Sequence, residues 1–132
     1  MNKVIAIAYR HAVLCFFTWF CIIFVLCATP GEYIPSNSWL DLLSIDKLVH
    51  AAMFFVLYIF SALLLFRRKS APWLFTGFLI FCLLYGLSLE ILQATLFRNR
   101  SADVKDIIAN STGCFVAWAC LPALRKRLPN AV

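Results

Sequence analysis

Charge is scarce in this sequence. Only 14% of its 132 residues are charged, and just six are Asp or Glu. A soluble domain of this size needs a broad polar surface, so a chain that is 64% apolar has no stable arrangement in water. Six cysteines are present (Cys15, Cys21, Cys27, Cys82, Cys114, Cys120), yet none form a C-x-x-C pair and all lie within apolar runs. That pattern excludes a disulfide scaffold and a zinc module, because thiols in such runs behave as small hydrophobes. The net charge is +6, but no continuous basic face accompanies it, which excludes a nucleic-acid binder. The first apolar run ends Leu26-Cys27-Ala28-Thr29-Pro30, without an A-x-A cleavage site, and Leu26 before Cys27 does not suit a lipoprotein signal. It is therefore expected to be a retained anchor. Internal repeats, low-complexity segments, G-x-S-x-G and H-E-x-x-H are all missing as well.

What remains is four apolar runs of roughly spanning length. They predict an all-α, four-transmembrane-helix bundle in a single domain, 1–132, with helices at about 12–28, 48–66, 72–92 and 104–122. Residues 29–46 read as a loop, broken by Pro30, Gly31 and Pro35, with Trp39 as an interfacial anchor. Ser70-Ala71-Pro72 reads as an N-cap followed by a first-turn proline. Basic residues set the direction. Lys3, Arg10, Arg67, Arg68, Lys69, Arg125, Lys126 and Arg127 fall on one side of this scheme, while Lys47, Arg98, Arg100 and Lys105 fall on the other. Positive-inside then places both termini in the cytoplasm.

The polar residues gather at the outer helix ends. Asp46 and His50 are four apart and share a face of the second helix. Gly86, Glu90 and Gln93 align on the third; Asp103, Asp106, Asn110, Gly113 and Ala117 form one stripe on the fourth. Gly113 and Ala117 make a small-xxx-small pair suited to close helix approach. A carboxylate at mid-bilayer costs at least ~2.5–3.5 kcal/mol, so Glu90, flanked by Leu87, Leu89, Ile91 and Leu92, calls for a partner. Plainer roles stand beside the functional ones. Asp103 and Asp46 can cap helices, with Asp106 favoured by the helix dipole. Gln93 can tie off the last carbonyls of the third helix, His50 can be a packing residue, and Lys47, Arg98 and Lys105 can be interfacial.

At these residues the sequence resembles the VanZ-like family of small bacterial membrane proteins. The matching text is Asp46-Lys47-x-x-His50 with Phe54 a turn later, then Gly86-x-x-x-Glu90-x-x-Gln93. Arg100 and Ser101 follow, and then Asp103-x-x-Asp106-x-x-x-Asn110-x-x-Gly113, the whole covering about residues 40–120. Ala117 stands where a second glycine is frequent in such proteins. The resemblance implies a multi-pass protein of the bacterial plasma (inner) membrane. The family takes its name from a protein linked to resistance against the glycopeptide teicoplanin, which supplies a theme but no reaction.

Together these readings lead to an expected outward-facing polar site that binds, and in one version modifies, a lipid-linked or anionic envelope molecule. His50, Glu90 and Asp106 are its catalytic candidates. Asp46, Lys47, Gln93, Arg100, Asp103 and Asn110 are its ligand-binding candidates. A mixed N/O metal set of His50, Glu90, Asp103 and Asp106 is conceivable. Neighbouring Lys and Arg compete for those carboxylates, so no metal and no other cofactor is expected. The lipid bilayer and an envelope ligand are the expected partners; nucleic acid is not. The alternative is a non-catalytic accessory subunit in which pairs such as Lys47–Glu90 and Arg100–Asp106 lock the helices. A channel is disfavoured, because the inner halves of the runs are almost wholly apolar.

Overall fold

A computed structural model describes residues 3–29, 45–97 and 102–128, and among them there are helices and no strand. The elements are α1 (Lys3–Arg10), α2 (Ala12–Ala28), α3 (Ile45–Arg67), α4 (Trp73–Thr95), α5 (Val104–Ala119) and α6 (Leu121–Arg125). The expected loop with Trp39, and the segment with Arg98, Arg100 and Ser101, lie outside the described residues.

Each apolar run became a helix, with local differences. Residues 3–10, which precede the first expected helix at 12–28, form α1, which turns through 90° into α2. Its Ile5, Ala8 and Tyr9 pack with Ala12, Leu63, Leu64 and Leu128, while Val4 and Ile7 remain exposed. Between α3 and α4 the chain closes through Lys69 at φ 50°, with Ser70 N–H donating to Leu65 O at 3.0 Å and Lys69 N–H to Phe66 O at 3.1 Å. This is a Schellman ending, here with lysine rather than glycine in the left-handed position. The expected Ser70 cap is not used. Helix α4 starts at Trp73 with Pro72 itself in the cap position, and Leu74 and Phe75 N–H bond to Ala71 O and Pro72 O. The expected fourth helix stops at Ala119 and restarts as α6 beyond Cys120. Pro122 explains the break, since it lacks an N–H and its ring crowds the carbonyl four residues back.

Contacts between side chains give the helix directions. Arg67 donates to Arg10 O while Trp19 Nε1 donates to Met53 O at 2.9 Å, so α2 and α3 are antiparallel. Phe66 meets Phe75 and Phe54 meets Tyr85, which makes α3 and α4 antiparallel as well. Lys47 reaches Asp103 and Cys114 Sγ lies by Phe54 O, so α5 runs parallel to α3. The four long helices therefore alternate up and down, and the start of α3, the end of α4 and the start of α5 share one end of the bundle. Helix α3 is central, packed by α1, α2, α4 and α5.

Large apolar side chains are exposed on this bundle, while a few polar ones are buried in its apolar core. Leu14, Phe17, Val25, Leu84, Ile91 and Ile108 are exposed, whereas Ser61, Glu90, Gln93 and Asn110 are buried. Such an inversion suits a lipid solvent. Helices α3 and α4 are long and apolar enough to cross a membrane, and the bent α1–α2 pair adds a third span if counted as one. Helix α5, at 16 residues, falls short of the ~20 that a span ordinarily needs. Among the described residues, then, two or three of the four expected spans are long and apolar enough by themselves.

Close contact between α3 and α5 depends on Gly113. A Cβ there would collide with the Ala51 carbonyl, whose carbon lies at 2.9 Å, and would sit 3.0 Å from Phe55 N. Backbone cannot rotate aside as a side chain does. Gly113→Ala should therefore destabilise the purified protein by about 1–3 kcal/mol, the usual range for overpacking. Gly77→Ala, with nothing within 4 Å, should be neutral or gain up to ~1 kcal/mol in helix propensity. Thermal unfolding in detergent checks both; equal melting temperatures for the two variants would refute the close-approach argument.

Candidate functional site

The bundle end formed by α3, α4 and α5 carries a charged cluster. Lys47, in the first turn of α3, is its hub. Its Nζ lies 2.7 Å from Asp46 Oδ2, 2.8 Å from Asp103 Oδ2 and 2.5 Å from Asp106 Oδ1. Asp106 Oδ1 is buried and makes no hydrogen bond of ordinary geometry, so the Lys47 ion pair is what meets its charge. The Lys47 side chain is only 24% exposed. An ammonium in that position is better held by three carboxylates than by one, because desolvation must be offset by direct contacts.

One turn on, His50 connects α3 to α5 from both ring nitrogens. Nδ1 is 3.2 Å from Asn110 Oδ1, and Nε2 is 3.9 Å from Asp106 Oδ2. An amide oxygen only accepts, so Nδ1 carries the proton in that contact and Nε2 faces the carboxylates. Asn110 is 4% exposed. Its burial is possible because Gly86 opposite has no side chain: a Cβ there would be 3.4 Å from Asn110 Cβ and 3.1 Å from the Phe54 ring.

Glu90, from the last part of α4, is 2% exposed. Its Oε2 accepts a hydrogen bond from the Asp103 backbone N–H at 3.1 Å. The Asp103 side chain meanwhile caps α5 by accepting from Lys105 N–H at 2.9 Å. Capping and membership of the cluster, weighed as alternatives from the sequence, coexist in one residue. The Lys47 ammonium, helped by the Lys105 N–H, holds the Asp103 carboxyl below its ordinary range.

Seven of the nine candidates therefore meet: Asp46, Lys47, His50, Glu90, Asp103, Asp106 and Asn110. Asp46 sits at the rim, with its side chain 54% exposed. Gln93 turns elsewhere. It is buried and donates from Nε2 to Cys27 O at 3.2 Å, tying off the end of α2. Arg100 lies outside the described residues. The expected Lys47–Glu90 pair is replaced, since Lys47 is taken by aspartates and Glu90 by a backbone N–H. That donor left no trace in the sequence, because a peptide N–H carries no residue code. Three further bonds that hold the frame had a signal: Trp19, Tyr58 and Tyr85 sit in apolar runs with polar tips that need partners. They bond to Met53 O, Phe75 O and Phe20 O, each at 2.9 Å.

The only group that gathers metal-ligand atoms among the described residues is His50, Glu90 and Asp106, whose ligand atoms lie within 4.8 Å of one another.

Against known families, a model described as VanZ/LLP1 matches residues 12–125. The chain belongs to the VanZ/LLP1 family. Comparisons with curated proteins and with solved structures give no match. The match extends the resemblance seen at about residues 40–120 to α2 and to α6, so this VanZ/LLP1 chain is a family domain over most of its length.

The lowered Asp103 group fixes a pH effect. A carboxyl whose folded pKa lies below its unfolded value stabilises fully above the unfolded value, 3.8, and loses that contribution as pH falls through the lowered one. Melting temperature in detergent should therefore drop for the wild type below about pH 4. Asp103→Asn should start lower at neutral pH and drop less. Parallel acid limbs would show that Asp103 takes no part in it.

Proposed function

We propose that this VanZ/LLP1 protein crosses the bacterial plasma membrane four times, with both termini inside, and displays its charged cluster outward to bind a lipid-linked or anionic molecule of the cell envelope. Four spans follow if α5 and α6 act as one broken span. The alternating directions of α2 to α5 and the arginines and lysines at the opposite end support that reading. Glu90 carries the proposal. It lies 17 residues beyond Trp73, about 26 Å of helix, near the far boundary of the bilayer. It is nonetheless removed from solvent, and among the described residues its surroundings include His50 and Asp106 rather than a lysine or arginine. A residue kept only for packing would be apolar there.

In this reading His50 is the proton carrier for any chemistry on the ligand, with Glu90 and Asp106 as the carboxylates around it. The glycopeptide theme of the family fits an envelope ligand at headgroup depth. A second reading is favoured by Lys47, which joins α3 to the start of α5 through two aspartates. There the cluster is an internal lock and the protein a non-catalytic partner subunit.

One variant separates them. Glu90→Gln is compared with wild type and a deletion for membrane abundance, lipid profile and glycopeptide sensitivity. Normal abundance with a deletion-like phenotype is expected. Abundance reduced in step with the phenotype would replace the binding site by the structural lock.

A further inference from the structure

The cluster holds more negative charge than its described cations balance. Four carboxylates (Asp46, Glu90, Asp103, Asp106) share the cluster with one half-buried ammonium, which pairs with the three aspartates, and the exposed Lys105 adds a second positive charge only near Asp103. An anion cannot settle there on Lys47, whose ammonium already hydrogen-bonds Asp46 and Asp103 and pairs with Asp106. The inner part of the cluster is poorest in positive charge. Glu90, Asp106 and His50 converge there, with Asp106 Oδ2 3.9 Å from His50 Nε2, and no described lysine or arginine forms an ion pair with Glu90.

We propose that His50, Glu90 and Asp106 form a binding site for a divalent transition-metal ion, of the zinc or manganese type. One imidazole nitrogen and two carboxylate oxygens suit such ions, and three protein ligands leave positions open for water or a ligand oxygen. Bonds of ~2.0–2.2 Å to a common centre put donors at most about 4.4 Å apart. The three atoms lie within 4.8 Å, so a small inward movement of side chains closes the set. Each ligand also has an outer partner. Asn110 Oδ1 receives His50 Nδ1–H, which turns Nε2 inward. Asp103 N–H steadies Glu90, and Lys47 takes Asp106 Oδ1 while Oδ2 faces His50. Such outer contacts orient metal ligands and tune their basicity.

This runs against the sequence expectation of no metal, which rested on competition from Lys and Arg. Lys47 occupies the outer oxygen of Asp106 and does not contact Glu90, so it supports the set rather than filling it. The consequence for the ligand rests on the proposed binding reading: a metal with open positions is what allows a phosphate-bearing headgroup to bind beside four carboxylates. The metal would supply the positive charge that Lys47 cannot.

The test uses the full-length, tag-free protein in detergent. Zinc and manganese are titrated by calorimetry, metal content is measured after purification, and cobalt is added as a spectroscopic probe. The wild type should bind one ion with a cobalt spectrum of N/O ligation. Glu90→Gln and Asp106→Asn, checked for helicity and elution volume, should weaken affinity at least 100-fold, and Asn110→Ala by about 10–100-fold as an outer partner. Asp46→Asn, at the rim, should bind as wild type does. The wild type alone can overturn the proposal, whatever the variants do: absence of saturable binding would refute it. A cobalt spectrum dominated by thiolate absorption would also refute it, by moving the ion to the cysteines. Either result leaves the Glu90→Gln phenotype to decide the envelope-binding reading separately.

Discussion

The missing side chain at Gly113 is the constraint from which the site follows. Because α5 touches α3 backbone to backbone at Ala51 and Phe55, the turns before that contact are brought into register. His50 then faces Asn110, and Lys47 faces Asp103 and Asp106. Parallel helices have no short loop to enforce this register, so side-chain volume must do it. Ala117, one turn further and fully buried, continues the narrow seam. In lipid no hydrophobic drive separates helix faces from their surroundings, and close packing with polar contacts supplies the association. At this seam both are present: small residues in its apolar length and an ion-paired network at its mouth.

Glu90 depends on that seam indirectly. It belongs to α4, which packs antiparallel to α5, and its hydrogen bond is to the peptide N–H where α5 begins. A helix start offers unsatisfied N–H groups and a partial positive charge, both favourable to a carboxylate. The same Asp103 whose N–H serves Glu90 uses its side chain to cap Lys105 N–H and to meet Lys47. One residue thereby couples the ends of three helices, and the cluster is a joint between them.

Much of this was legible in the sequence because membrane helices advertise themselves by composition and their polar faces by spacing. The stripe Asp103, Asp106, Asn110, Gly113 lies along one side of α5 as its steps of three and four require. Asp46 and His50 were harder. They share a helical face by spacing, yet Asp46 is left at the rim while His50 enters the bundle, since only the second lies beneath the neighbouring helices. Gln93 shows the opposite failure. It follows Glu90 by three residues, but that offset rotates it toward α2, where the carbonyl of Cys27 needs a donor. Pro122 announced a helix end, and its effect came three residues earlier than the expected end at 122. The lead-in at Lys3–Arg10 was invisible as a helix because eight residues show barely two turns of any period.

Charge bookkeeping separates the two ways of using this joint. A lock needs equal numbers of opposite charges, as close as sterics permit, with none left over. The starts of α3 and α5 and the end of α4 instead supply four carboxylates and one half-buried ammonium, and among the described residues Glu90 has no cation paired with it. Polar groups withheld from water carry a penalty unless they are partnered, so a buried carboxylate with no described cation, set beside an imidazole, is a poor way to hold helices together. It is a good way to hold a cation. The lock and the site are then successive layers of one cluster: Lys47 and Asp103 fasten the helix starts, and that fastening aims His50, Glu90 and Asp106 at a common point.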